Sequence, residues 1–222
     1  MKSLFAIFGM IFLSPITIVL LLITLHLFGE ARYIPSVSMQ PTLKANDRVI
    51  IEKISTYLNR PYTRGEIILF YPPPIELNGQ DLHSDIQHVL GRLTGLPFLP
   101  SEPAFIKRVV GLPGDHIRIV AGNGVYVNGK RLDESTYLTT PVSYSLNVLG
   151  DIGGLTSQQK VTRPYQGLGN EKSPIIVPPD GLFVLGDDRN NSDDSHVFGM
   201  LKTNRVIGRV QIKYSPEFQI IK

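Results

Sequence analysis

No cysteine occurs among the 222 residues, which excludes a disulfide framework, a thiolate zinc site and a cysteine nucleophile, and leaves the redox character of the compartment open. Blocks of like charge are also missing. The 22 basic and 19 acidic residues are spread along the chain for a net charge of +3, so the clustered basic face of a nucleic-acid-binding protein is absent and no nucleic-acid partner is expected. Internal repeats and low-complexity tracts are lacking as well. The most informative absence is local: residues 3–28 are 26 in a row without one Asp, Glu, Lys or Arg. A helix needs roughly 20 such residues to cross a bilayer.

That run predicts an uncleaved, single-pass transmembrane anchor over residues 1–30. It is long for the apolar core of a signal peptide, and Leu27-Phe28-Gly29 is a poor small-x-small cleavage site. Pro15 is compatible with a lipid-embedded helix. Only Lys2 and the amino terminus precede the run and only Glu30 and Arg32 follow it closely, too few charges to fix its orientation. Residues 31–222 have the length of one domain. The 20 glycines and 17 prolines favour short strands and turns over a helical bundle.

Short β-branched, apolar runs predict strands near 48–53, 66–70, 105–110, 117–120, 125–127, 182–185 and 206–214. Gly111-Leu112-Pro113-Gly114-Asp115 is a turn, and Gly122-Asn123-Gly124 and Asn128-Gly129 are tight hairpin turns. The expected fold class is therefore mainly β, an antiparallel sheet domain behind one N-terminal transmembrane helix. Polar, weakly patterned segments near 72–103 and 138–174 read as insertions, the first with a short helix near 85–93.

Just past the apolar run lies Ile34-Pro35-Ser36-Val37-Ser38-Met39-Gln40-Pro41-Thr42-Leu43. Its two prolines fix φ and withhold two amide donors, so the segment is expected to lie extended and to hold the Ser38 hydroxyl in an exposed, fixed place. The same composition also suits a linker. A serine hydroxyl needs a base to become a nucleophile. Of the histidines, His26 falls in the anchor, His83 and His88 in the first insertion and His116 after a turn; His196 has carboxylates nearby, which admits a Ser38/His196/Asp194 triad. Lys107 is the stronger candidate. Strand alternation points Lys107 and Arg108 in opposite directions, so one can be buried while the other stays in water. A buried lysine gives up its proton more readily and then acts as a base; the alternative is a lysine lying along a sheet edge with its head in water.

The polar run from Gly186 through Asp187, Asp188, Arg189, Ser192, Asp193 and Asp194 to His196 follows a strand and reads as a solvated tip, a cation site or a hydrogen-bonded scaffold. A calcium loop beginning at Asp188 would have Asp193 where the turn glycine belongs and Gly199 where the bidentate glutamate belongs, so no metal site is expected. Ser157-x-x-Lys160, Ser192-Asp193-Asp194 and Lys202-Thr203-Asn204 echo the penicillin-recognising serine enzymes, but the second and third elements lack the required Asn and Gly.

Ser36-Val37-Ser38-Met39-Gln40-Pro41-Thr42, Arg64-Gly65-Glu66-Ile67-Ile68-Leu69-Phe70, Phe105-Ile106-Lys107-Arg108-Val109-Val110-Gly111-Leu112-Pro113-Gly114-Asp115 and the run from Gly186 to Gly199 stand in the order seen in type I signal peptidases. Outside the two polar segments, the chain resembles that family from about residue 34 to residue 208. The resemblance implies Ser38 as nucleophile and Lys107 as general base. Ser36 and the Ser38 amide would form the oxyanion site, Ser192 would bond the lysine and Asp194 would hold the loop together. Ile34, Pro35, Met39, Leu43, Val49 and Ile106 would wall a shallow apolar pocket for small side chains. It further implies preprotein substrates bearing signal peptides, no cofactor, and residence in a cell or thylakoid-type membrane with the catalytic domain on the non-cytoplasmic side. Asp188 departs from the usual Asn, and Val197-Phe198 from the usual aromatic pair; His196 reads as scaffold. Two other readings remain open: a specialised maturation peptidase for one precursor, and a tethered, non-enzymatic module whose acidic loop binds a cation or a partner.

Overall fold

The computed structural model describes residues 15–73, 103–145 and 174–221. The helix expected near 85–93, His83, His88 and the Ser157-x-x-Lys160 echo lie outside the described residues. Helix α1 (Pro15–Phe28) comprises 14 residues, and no helix among the described residues is long and apolar enough to cross a membrane. The helix passes without a linker into β1 (Gly29–Tyr33), which pairs antiparallel with β2 (Arg48–Glu52) and sets Glu30 opposite Ile51. The sheet thus takes in Gly29 and Glu30, two residues of the segment read as anchor.

After a single turn, α2 (Ile54–Tyr57), come β3 (Ile67–Phe70), β4 (Phe105–Gly111), β5 (His116–Val120), β6 (Gly124–Val127), β7 (Lys130–Arg131), β8 (Ile175–Ile176) and β9 (Gly181–Leu185). A short helix α3 (Ser195–Phe198), β10 (Leu201–Lys202), a 3-10 turn, β11 (Val206–Ser215) and β12 (Gln219–Ile220) complete the order. The expected strands appear within a residue or two of their predicted bounds. Among the described residues one sheet runs β1-β2-β11-β3-β4-β9-β10, with β12 on β11, and a smaller sheet runs β7-β6-β5-β8. Every described pairing is antiparallel.

Strand alternation divides the core. On β3, Ile67 and Leu69 join Ile34, Met39, Leu43, Val49 and Ile51, whereas Ile68 and Phe70 join Val109, Leu182, Val184 and Phe198. On β9, Phe183 and Leu185 instead meet Val110, Ile117 and Val125, which fastens the small sheet to the large one. A central strand covered on both faces needs apolar residues at every position, and β3 is buried at all four. Burying each such side chain contributes about 1.5–3 kcal/mol, so the packing makes the middle of the sheet stiff. That stiffness matters because β3 and β9 flank β4, which carries Lys107.

Candidate active site

The loop between β1 and β2 is drawn inward by its own apolar residues. Ile34, Met39 and Leu43 are buried in one core cluster, and the Ile34 amide donates to the Asp47 carbonyl while the Asn46 amide donates to that of Ile34, both at 2.9 Å. The Gln40 amide donates to the Val37 carbonyl, and Leu43 to Met39, again at 2.9 Å. Ser38 therefore sits in a turn and not in an extended run, and it is only 8% exposed. Met39 and Leu43 explain the difference: anchoring both in the core coils the chain between them.

Lys107, on β4, is 4% exposed, and its Nζ lies 2.7 Å from Ser38 Oγ. Ser36 Oγ is 3.4 Å from the same oxygen. Contrary to the expectation that one of the two basic neighbours stays in water, Arg108 is also buried, at 5% exposure. Its compensation is explicit. Nε and Nη2 donate to the two oxygens of Asp187 at 2.8 and 2.6 Å, Nη1 donates to the Gly65 carbonyl at 2.8 Å, and the guanidinium stands 4.0 Å over the Tyr137 ring. A planar fork satisfied on both sides is how a guanidinium is kept from water. Thr42 Oγ1 donates to Asp187 at 2.5 Å, which ties this pair to the Ser38 loop.

The loop after β9 closes the arrangement. The Asp188 amide donates to the Ser38 carbonyl at 3.0 Å. Asp194, fully buried, accepts from the Gly186 amide at 2.8 Å and the His196 amide at 3.1 Å, with His196 Nδ1 at 2.7 Å. Burial by itself would push the Asp194 carboxyl up, yet the His196 imidazole and the Gly186 amide hold it below its ordinary value. A carboxyl held low in the folded state adds stability above its unfolded pKa, and that stability is lost as pH falls through the folded value. His196 stacks on Tyr144 with ring centroids 4.2 Å apart, so its contacts are with the scaffold, and the amine that lies beside Ser38 is that of Lys107. Arg189, wholly buried, donates from Nε to the Gly186 carbonyl at 2.9 Å and pairs with Glu134.

Gly186 is required by close approach. A Cβ there would come within 2.2 Å of Ser192 Oγ and 2.5 Å of the Ser38 carbonyl oxygen, so Ser192 and Ser38 press on the same glycine. Gly186→Ala is expected to cost about 1–3 kcal/mol through overpacking, read as a lower denaturant midpoint. An unchanged midpoint would mean that the loop yields without cost and is not fixed as described.

These segments border a cleft of about 620 Å³. Of the residues expected to wall it, Ile34, Pro35, Met39 and Ile106 do line it, beside Ser36, Ser38, Lys107 and Ser192. Leu43 and Val49 do not; both are fully buried in the core behind it. Tyr33, Val37, Leu69, Phe105 and Asp193 line the cleft without having been expected there from the sequence. Thr42, Glu134, Tyr137 and Tyr144 were missed too, since their partners lie far along the chain, and only the polarity of the run containing Asp187 gave any signal. Among the described residues no group of three or more His, Asp or Glu side chains is placed to hold a metal ion.

Comparison with known proteins gives the family. The family model described as signal peptidase, peptidase S26, matches residues 7–215. The probable signal peptidase I-2 of Synechocystis sp. is 40% identical over 204 residues, covering 91% of this chain and 71% of that protein. Signal peptidase I of Leptolyngbya laminosa is 38% identical over 188 residues, 85% of this chain and 70% of its own. The chloroplastic thylakoidal processing peptidase 1 of Arabidopsis thaliana is 30% identical over 192 residues, 86% of this chain but 44% of that longer protein. On the family match over nearly the whole chain and on these relatives, the chain belongs to the signal peptidase family, peptidase S26.

Proposed function

We propose that this protein is a membrane-anchored serine endopeptidase that removes signal peptides from exported preproteins after small-x-small sites, with Ser38 as nucleophile and Lys107 as general base. The observation that carries the reading is the 2.7 Å approach of Lys107 Nζ to Ser38 Oγ at the floor of a cleft in which both groups are nearly buried. Neutral Lys107 takes the Ser38 proton as Oγ bonds to the scissile carbonyl carbon. The oxyanion is held by the Ser38 amide and the Ser36 hydroxyl. The lysine ammonium then passes its proton to the leaving amine, which departs as the mature chain. Water, deprotonated by Lys107, attacks the remaining ester, freeing the signal peptide's new carboxylate and restoring Ser38. Asp194 holds the loop that carries Ser192, which lines the cleft with Lys107 but whose Oγ makes no hydrogen bond to it, unlike the bond expected from the sequence.

The bilayer supplies the second half of the proposal. Residues 3–28 form the anchor, and the β domain lies on the non-cytoplasmic side, where signal peptides leave the membrane. A C-terminal reporter active only in the cytoplasm would contradict that topology. The reading as a whole is tested by incubating the full chain with a preprotein and sequencing the product's N-terminus. The expected cut follows a small-x-small site, at a rate that rises with pH as Lys107 loses its proton. A rate that stays flat from about pH 6 to 9 would remove the lysine from the role of base, and failure of the folded protein to cut at such a site would remove the function.

A further inference from the structure

Residues 3–28 contain a single titratable side chain, His26, and the first charged residue after them is Glu30. Neither has a part in the proposed chemistry, yet they meet in a buried cluster. Lys53, just past β2, is 3% exposed, and its Nζ lies 2.6 Å from Glu30 Oε2, 3.1 Å from the His26 carbonyl oxygen and 3.3 Å from His26 Nε2. His26 Nε2 is itself 3.3 Å from Glu30 Oε2, and Arg32 Nε donates to Glu30 Oε1 at 2.6 Å. The Lys53 amide donates to the Phe28 carbonyl at 3.0 Å. The lysine thus caps carbonyls that a helix end leaves without partners, where a cation is favoured. One carboxylate gathers the last turn of α1, β1 and the end of β2.

A buried ion pair adds little net stability over well-packed apolar residues, because both charges must leave water. What it does provide is a single geometry, since a helix sliding or tilting on β1 would strand a buried charge. Helix and strand are joined without a linker, and the far end of β1 is already at the cleft, where Arg32 and Tyr33 stand on the rim. Five residues of strand span at most about 17 Å. We propose that Glu30, Lys53 and His26 form a rigid joint that fixes α1 relative to the cleft and thereby sets which bond of a bilayer-held substrate reaches Ser38. The inference rests on the peptidase reading above and on residues 3–28 lying in the bilayer. Glu30 and Lys53 act as positioning residues.

The test uses the full chain in lipid vesicles with a preprotein that carries two small-x-small sites three residues apart, and in parallel a short soluble peptide that has one such site and no apolar segment. Wild type is expected to cut the preprotein mainly at one site. In Glu30→Gln/Lys53→Met, which removes both charges together, the product ratio should shift by at least about fivefold, since 1 Å of misplacement is worth up to about 100-fold in rate. Cleavage of the soluble peptide, which has no bilayer to measure from, should stay within about twofold of wild type on the same geometric ground. Lys53→Arg, which keeps the charge, should retain the wild-type ratio. An unchanged ratio in the double variant overturns the joint, as does a parallel fall on both substrates, which is the mark of a merely structural role. If wild type cuts neither substrate, the peptidase reading itself falls, a result distinct from failure of the joint.

Discussion

Ser38→Ala and Lys107→Met should each slow preprotein cleavage by at least about a thousandfold, with the double variant no slower than either single one. The non-additivity follows from the two groups acting as a unit: a hydroxyl without its base and a base without its hydroxyl are equally idle. Methionine is chosen at position 107 because it keeps most of the apolar stem, so a lost fold is not mistaken for a lost base. Removing the Ser38 hydroxyl takes one contact from a buried amine, a change worth about 1–3 kcal/mol, which circular dichroism and a denaturant midpoint will register without loss of the native state. Independent, multiplying losses in the double variant would show that Ser38 and Lys107 serve separate steps.

The second large effect is expected at the buried pair beneath the dyad. Asp187→Ala strands the Arg108 guanidinium, which is 5% exposed and would keep the Gly65 carbonyl and the Tyr137 face without a counter-charge. Breaking a buried pair from one side costs about 3–5 kcal/mol. For a chain of this size each kcal/mol moves Tm by about 2–4 °C, so a fall of roughly 10 °C is expected by calorimetry. Replacing both partners, Arg108→Met with Asp187→Leu, should recover much of that stability because no lone charge remains. Activity should not recover with it. Thr42 donates to Asp187, and Asp188 donates to the Ser38 carbonyl, so the pair also sets where the Ser38 loop lies against β4. A single variant that melts within a degree or two of wild type, or a double variant with both stability and activity restored, would contradict this division.

The strands were legible because their cause is local: β-branched runs bounded by Gly, Pro and Asn turns need no tertiary knowledge. Ser38 and Lys107 were legible as candidates, one as a serine between two prolines and the other by strand alternation, but each had a structural alternative, and only the resemblance carried by four ordered motifs implied their roles. Their meeting was not legible, since 69 residues separate them and only sheet order decides which strand faces which loop. Arg108 shows the limit of alternation most clearly. Opposite faces suggested that one basic side chain stays wet, but both surfaces of β4 are covered, and the acid that makes this tolerable, Asp187, is 79 residues away. The same holds for Arg189 and Glu134, 55 residues apart. Exposure of Ser38 was misjudged because its prolines were weighed and the pull of Met39 and Leu43 into the core was not. That pull also withdraws Leu43 from the cleft, and Val49, wholly buried on β2, never reaches it.

The central claim, that Ser38 Oγ carries the acyl group and Lys107 makes it able to, is most directly tested by trapping the intermediate. A peptide ester ending in a small-x-small sequence is mixed with the full chain, quenched in acid during the first turnover, digested and read by mass spectrometry. The expected result is an added mass equal to the acyl portion of the ester on the fragment containing Ser38, present in wild type and lost in both Lys107→Met and Ser38→Ala. An acyl group on any other residue, or turnover that continues in Ser38→Ala, would contradict it.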